Sequence, residues 1–571
     1  MKPIRIILII AILVQLSCKT KKPVVGGSLL NPFQYSINKT VEGRNGAVVS
    51  AHPLASIVGL EILKKGGNAI DASIATQLAL AVVYPGAGNI GGGGFMVATL
   101  SNGKNITLDY REKAPGKAHR DMYLDEKGDP KTQLSLNGHL AAGVPGTVAG
   151  LFSAHQFAKL PFNILIQPAI DLAEKGFVLT ESEAKSLNFT KNEFVKLNTI
   201  SPAFVKPTPW KAGDTLIQKD LAKTLTRIRD NGKKGFYEGE TARLIIEEMQ
   251  RGNGIISLED LKNYEAKLRE PVVFDYKGYS IVTMPLPSSG GILLPQMMKM
   301  IQDKPIKEYG FQSTKAVQLM IEVERRAYAD RAKYLGDVDF FKVPVKKLIS
   351  DEYAKERMKD YDATKAGNSK EVQAGMISES EETTHLSIYD KEGNAVAVTT
   401  TLNGGYGSRT VVGGAGFLLN NEMDDFSVKP GVPNMYGAVG ADANAVAPGK
   451  RMLSSMTPTI VLKNNKPYLV VGTPGGTTIT TSVFQTLVNF LEFDMSTVDA
   501  VNKPKFHHQW LPDLIYIETG FPPQVRADLE KMGYKISQRG QIGRTEVIRI
   551  LPDGKIEAVA DNRGDDSAAG W

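Results

Sequence analysis

Thr383-Thr384-His385-Leu386-Ser387-Ile388-Tyr389-Asp390, then Lys391-Glu392-Gly393-Asn394, then Ala395-Val396-Ala397-Val398-Thr399-Thr400-Thr401-Leu402 is the stretch that decides how this chain is read. Two runs rich in β-branched and apolar residues flank a four-residue polar connection containing a glycine, which predicts an antiparallel hairpin. Just upstream lies the polar, acidic Ser378-Glu379-Ser380-Glu381-Glu382. That layout suits a chain cut before Thr383. A threonine released in this way carries a free α-amine, so one residue can be both nucleophile and proton acceptor. The plain alternative is a β-branched residue that merely starts a strand, and the threonine pair alone does not separate the two.

Pairing Asp390 with Ala395 sets Thr383 opposite Leu402, with Thr401 and Asn403 beside it. A second hairpin is expected from residues 459–462 and 467–472 around Lys463-Asn464-Asn465-Lys466. Pairing Leu462 with Pro467 sets Ser454 opposite Gly475 and Ser455 opposite Pro474, so Ser454-Ser455 and Gly475-Gly476 converge at one end of one sheet. A core needs no such clustering, whereas acyl transfer needs a nucleophile, a base, an oxyanion hole and a pocket. The α-amine of a released Thr383, with an ordinary pKa of roughly 7.7–8.0, accepts a proton near neutrality. Thr401 is placed to orient the Thr383 hydroxyl, and backbone N–H groups of Gly475 and Gly476 to stabilise an oxyanion.

Farther upstream, residues 53–83 read as helical and buried. The glycine run 86–94 lacks the Gly-Lys-Ser/Thr ending of a phosphate loop and reads as a turn with close backbone packing. Residues 95–100 and 106–110 form a further hairpin, and Arg111 leaves the end of its second strand. A helix is expected from Ser313 or Thr314, with Val317, Met320, Ile321, Val323 and Ala327 on its apolar side. The polar segment 361–382 reads as a mobile loop. Adjacent His507 and His508 would point to opposite faces of a strand. No ligand spacing accompanies them, so a structural role is expected and neither a metal nor a cofactor is called for.

The 571 residues are 42% hydrophobic and 23% charged, ordinary for a globular protein, and length alone suggests roughly two to four domains. The net charge of +7 falls to +5 once Lys2 and Arg5 are removed with residues 1–17, and no dense basic run argues for nucleic acid. Lys2 and Arg5 precede nine apolar residues, Ile6 to Val14. That run is too short for a bilayer, which needs about 20, and fits the h-region of a secretory signal over 1–17. The single cysteine, Cys18, excludes an intrachain disulfide. It follows a small residue and resembles a bacterial lipobox, with Gln15 and Leu16 departing from the usual pattern. A lipidated Cys18, a surface tether over 18–45 and a periplasmic or membrane-anchored location after export are expected, the plain alternative being a signal peptide with an incidental cysteine.

The chain as a whole resembles the γ-glutamyltranspeptidases. The resemblance rests on Thr383-Thr384-His385, on 390–399, on Leu419-Asn420-Asn421-Glu422-Met423-Asp424-Asp425-Phe426, and on Lys450-Arg451-Met452-Leu453-Ser454-Ser455-Met456. It also rests on Pro474-Gly475-Gly476, Phe506-His507-His508-Gln509-Trp510, Gly91 to Met96 and Asp109 to Pro115, covering about 45–571. It implies an α+β fold, the four-layer αββα sandwich of N-terminal nucleophile hydrolases, with cleavage between Glu382 and Thr383 into a large subunit (46–382) and a small one (383–571) that stay together. It further implies Thr383 as nucleophile with Thr401 supporting it, Gly475 and Gly476 as oxyanion hole, and Arg111, Ser454 and Ser455 on the α-carboxylate of a γ-glutamyl group. Asn403, Glu422 and Asp425 would hold the α-ammonium, and Tyr436 would close a lid. Paired acids suit an ammonium and an arginine fork suits a carboxylate. The implied partners are glutathione and other γ-glutamyl amides, with water, amino acids or peptides as acceptors. The rival readings are a glutaryl-amide deacylase of the cephalosporin-acylase kind and a non-catalytic, peptide-binding surface lipoprotein.

Overall fold

The central hairpin forms, and it forms inside a sheet. The computed structural model describes residues 30–371, 383–429, 431–432, 434–435 and 440–571. Strands Thr384–Asp390 and Ala395–Thr401 pair antiparallel, and strands Gly46–Ser50 and Gly93–Thr99 flank them on either side. Asn105–Asp109 and Lys267–Arg269 complete the seven-stranded sheet at one edge and Ser567–Gly570 at the other.

The register differs by one residue from expectation: Ala395 pairs with Tyr389, not Asp390. The cause is the Asp390 carboxylate. It accepts the backbone N–H groups of Glu392 (2.9 Å) and Asn394 (3.0 Å) in an Asx-type turn and that of Ala69 (2.7 Å), the first residue of helix Ala69–Val83. Continued one step, this register sets Thr383 opposite Thr401.

Strand alternation sorts the side chains into layers. Leu386, Ile388, Val396 and Val398 face a core shared with helices Pro53–Lys64, Ala69–Val83 and Phe162–Lys175. Ala395 and Ala397 face the other way and meet Ile460, Leu462, Val470 and Ile548 of a second seven-stranded antiparallel sheet. On the far side of that sheet Val461, Leu469 and Val471 pack against helices Gly290–Gln302, Thr314–Tyr334 and Thr478–Leu491. The stack is therefore helix, sheet, sheet, helix. Each sheet contains strands from before and after residue 383, so the chain builds one sandwich in place of the two to four domains suggested by length.

Three local expectations change. The second hairpin keeps Leu462 opposite Pro467, but an irregularity at Val461/Leu462 pairs Val461 with Leu469. The ladder ends at Gly472, and Ser454 instead bridges Ser288, with Ser289 N–H donating to Ser454 O (2.7 Å). The tether expected over 18–45 does not reach 45. Thr40–Gly43 is an edge strand on Ile556–Val559, and Lys39 Nζ donates to the carbonyls of Asp561, Gly564 and Asp566 at 2.6–2.8 Å. Of the loop expected over 361–382, the described part is anchored: Gly367 N–H reaches Glu322 (3.0 Å) and Ser369 N–H reaches Asp513 (2.8 Å). Residues 1–29, with the signal and Cys18, and 372–382, with Glu382, lie outside the described residues.

The glycine run does pack closely. A Cβ on Gly92 would stand 2.1 Å from Thr401 O, and one on Gly91 2.1 Å from Leu418 O. Gly92→Ala must therefore push the strand that carries Thr401, at a cost of about 1–3 kcal/mol typical of overpacking. Denaturant unfolding of Gly92→Ala against Gly540→Ala, where a Cβ meets nothing within 4 Å, checks this. Equal midpoints would show that the close approach does not hold the strand in place.

Candidate active site

One cleft is lined by Thr383, Thr401, Asn403, Arg111, Glu422, Asp425, Ser454, Ser455 and Gly476. Gly475 lines an adjoining cleft that also contains Thr383, so the threonine stands between the two. Residues separated by hundreds of positions in the chain are thus brought to one place. Tyr436 lies outside the described residues.

Thr383 is 4% exposed and sits at the start of a central strand. Thr401 Oγ1 accepts the N–H of Asn403 (2.7 Å), which bends the chain sharply after the neighbouring strand, with Asn403 at φ 73°. Asn403 Nδ2 then donates to Asn421 O (2.9 Å), tying this corner to the turn that carries Glu422 and Asp425. His385 supplies no base to Thr383. Its ring is fully buried between the sheets, against Thr399 Oγ1 (2.9 Å) and Ser387 Oγ (3.1 Å). Desolvation pushes its pKa down to about 3, so it is neutral.

Gly475 and Gly476 have φ of 136° and 52°, conformations that favour glycine. They lead directly into helix Thr478–Leu491, whose N-terminal end favours negative charge. The next residue, Thr477, is held from two directions. Tyr328 OH donates to its carbonyl, and its own hydroxyl donates to Gln509 Oε1 (2.6 Å), which also meets His507 Nε2 (2.9 Å). His507 Nδ1 meets Thr481 Oγ1 (2.8 Å), whereas His508 turns to Asp513 (3.3 Å). The two histidines thus serve different neighbourhoods, and His507 and Gln509 buttress the glycine turn.

The charged half of the cleft is wired differently from expectation. Arg111 does not stand apart from the acids. Its guanidinium pairs directly with Glu422 and Asp425 and approaches the carbonyls of Met452 and Leu453 at 3.3 Å each. Glu112 is 3.5 Å away. Three carboxyls thus share one close cation in a buried place. Desolvation raises Glu112 to about 7, lifts Glu422 well above its ordinary value and raises Asp425 as well, while Arg111 opposes the rise. Asn444 staples the two halves together: its Nδ2 donates to Asp425 O (2.7 Å) and its Oδ1 accepts Leu453 N–H (3.0 Å).

Several wall residues escaped sequence reading. Asn434 donates to Asp425 Oδ1 (2.9 Å). Arg331, in the last turn of helix Thr314–Tyr334, lines the same cleft and donates to Ser289 and Ser455 hydroxyls at 3.2 Å. Tyr328 lies one turn before it. The usable signal was the helix itself: 328 and 331 share one face, but nothing local says which partner that face meets.

The γ-glutamyltranspeptidase family model matches residues 55–571. The glutathione hydrolase proenzyme of Escherichia coli (strain K12) is 46% identical over 550 residues, covering 95% of both chains. That of Bacillus subtilis (strain 168) is 39% identical over 587 residues, covering 99% and 97%. The Acylase ACY 1 proenzyme of Pseudomonas sp. (strain SE83) is 35% identical, covering 92% and 94%. Among solved structures, a cephalosporin acylase from Bacillus halodurans superposes with a TM-score of 0.82 at 27% identity, covering 95% of this chain and 99% of that one. The γ-glutamyltranspeptidase of Helicobacter pylori gives 0.53 at 45% identity, covering 57% and 91%. The helix–sheet–sheet–helix stack is thus the sandwich of the N-terminal nucleophile hydrolases, and the chain belongs to the γ-glutamyltranspeptidase family.

Proposed function

We propose that this chain is a γ-glutamyl hydrolase and transferase acting on glutathione and related γ-glutamyl amides, matured by its own cleavage between Glu382 and Thr383. The observation that carries the reading is the single cleft that gathers Thr383, a glycine turn at a helix start and a cluster of opposed charges able to recognise an amino-acid head. Thr383 Oγ attacks the γ-carbonyl carbon while its proton passes to the Thr383 α-amine. N–H groups of Gly475 and Gly476 take up the oxyanion. The C–N bond breaks, the departing amine collects the proton, and a γ-glutamyl ester remains on Thr383. Water or an acceptor amine attacks that ester and gives its proton to the α-amine; the bond between the acyl carbon and Thr383 Oγ breaks, Oγ takes that proton back, and glutamate or a new γ-glutamyl amide leaves. Thr401 orients the nucleophile. Arg111, Ser454 and Ser455 face the α-carboxylate, Asn403, Glu422 and Asp425 the α-ammonium, and Tyr436 closes over the bound group.

In this reading residues 1–17 direct export, Cys18 carries a lipid, and the protein works in the periplasm or on a membrane of a bacterium. The large subunit, 46–382, and the small subunit, 383–571, remain one body because both sheets interleave their strands. Among the described residues no helix is long and apolar enough to cross a membrane. Deacylation of a glutaryl amide is the second reading, favoured by the likeness to the ACY 1 acylase. Glu422 and Asp425 count against it, because a glutaryl group brings no ammonium to meet them.

Purified protein is expected as two fragments, the smaller beginning at Thr383, by intact mass and N-terminal sequencing. Thr383→Ala should stay uncut and lose γ-glutamyl-anilide turnover by a factor on the order of 10⁴ or more. A mature, active Thr383→Ala protein would assign the nucleophile elsewhere. Because the free amine is the active form, kcat/KM should rise with pH. The midpoint is expected in the ordinary α-amine range, roughly 7.7–8.0. A rate that falls between pH 6 and 8 excludes the amine as base.

Binding of the product glutamate should also release protons. An entering ammonium stabilises the ionised forms of Glu422 and Asp425, whose pKa values burial has raised. Calorimetry near pH 6 in buffers of different ionisation enthalpy reads this directly, and enthalpies that do not depend on buffer would mean the acids are already charged.

A further inference from the structure

We infer that Arg331 is a specificity-determining residue of the cleft, a second cation that works with Ser455 to bind the carboxylate of the donor. The inference rests on the γ-glutamyl reading above and deepens it. Arg331 is 7% exposed although it stands in the last turn of its helix, where an arginine ordinarily reaches water. Its side chain lines the cleft that contains Thr383. Its hydrogen-bond partners are two neutral hydroxyls, Ser289 Oγ and Ser455 Oγ, each at 3.2 Å. A guanidinium has five N–H donors, and no carboxylate among the described residues stands within the 4 Å of an ion pair with it. Asp425 acts on it electrostatically, yet that carboxylate is already engaged by Arg111 and by Asn434.

A buried cation without an anion is costly. Desolvation and the like charge of Arg111 both work against the Arg331 cation. Arg111, in contrast, is committed to Glu422 and Asp425 and lies beside two backbone carbonyls. An incoming α-carboxylate therefore finds the better unmet donor set at Arg331 and the serines fixed beside it. Ser289 N–H holds Ser454 O at 2.7 Å, so the arginine, Ser289 and the Ser454-Ser455 pair form one rigid wall. Arg111, which lies beside the Met452 and Leu453 carbonyls just before the serines, meets the carboxylate from the acid side, and Arg331 with the hydroxyls adds a second cation from the other.

Three anilide donors test the division of labour: γ-glutamyl, glutaryl (carboxylate without ammonium) and 4-aminobutyryl (ammonium without carboxylate). In Arg331→Met, KM for the two carboxylate-bearing donors should rise roughly 10–100-fold, the worth of hydrogen bonds to a charged group. KM for the 4-aminobutyryl donor should stay within about threefold of the parent, and Arg331→Lys should recover part of the loss. Maturation is checked first by the two-fragment pattern. If Arg331→Met does not mature, the same three-donor comparison is made on Arg331→Lys, where a selective rise for the carboxylate-bearing donors supports the assignment. An equal loss on all three donors, or none on any, overturns it and leaves Arg331 as a brace for the serines. A parent enzyme that fails to turn over the γ-glutamyl donor would defeat the proposed function instead.

Discussion

A guanidinium buried away from water must be surrounded by acceptors, and Arg111 is where this chain meets that demand. Left without partners, such a charge costs several kcal/mol. Its neighbours come from the turn Glu422–Asp425 and from the carbonyls of Met452 and Leu453, while its own backbone carbonyl receives the Tyr264 hydroxyl (2.7 Å). Three segments far apart in sequence are thereby drawn to the end of one strand. Truncating either acid would strip a partner from the Arg111 guanidinium and change how the remaining carboxyls share it, so the members of the cluster act as a unit.

The second constraint is geometric. Thr383 can sit at the sheet end only if the glycine run comes close to the neighbouring strand, and a Cβ on Gly92 or Gly94 would stand 2.1 or 2.5 Å from the Thr401 or Thr399 carbonyl there. The glycine turn at 475–476 is steadied from behind by Tyr328, Gln509 and His507. Precise placement of a donor needs locked support, and this explains why His507, with no metal-like spacing around it, stands so near the chemistry.

Much of this was legible in the chain. The hairpin after Thr383, the close packing of the glycines and the Ser313 cap of the long helix follow from local chemistry: alternation, the absence of a Cβ, and a hydroxyl accepting Ala316 N–H at 3.1 Å. The misses share a cause too. The register slipped because Asp390 is claimed by a helix more than 300 residues away, and Lys39 was given to a tether because its carbonyl partners lie at the opposite chain end. Arg331 was invisible because a helical arginine looks solvated until the opposite wall is known. Pairing of Arg111 with the acids was hidden for the same reason: sequence supplies the charges but not their distances.

The interleaving of strands has a further consequence. While the chain is continuous, every strand of both sheets is tethered to its neighbours, and closing the sandwich is a unimolecular event with a loop-closure cost that grows only slowly with length. Once the backbone is opened before Thr383, the same sandwich consists of two chains. Unfolding then releases separate pieces, and their return depends on concentration. Maturation would thus turn a structure that can be regained into one that must be kept, persisting by slow unfolding and not by ready refolding.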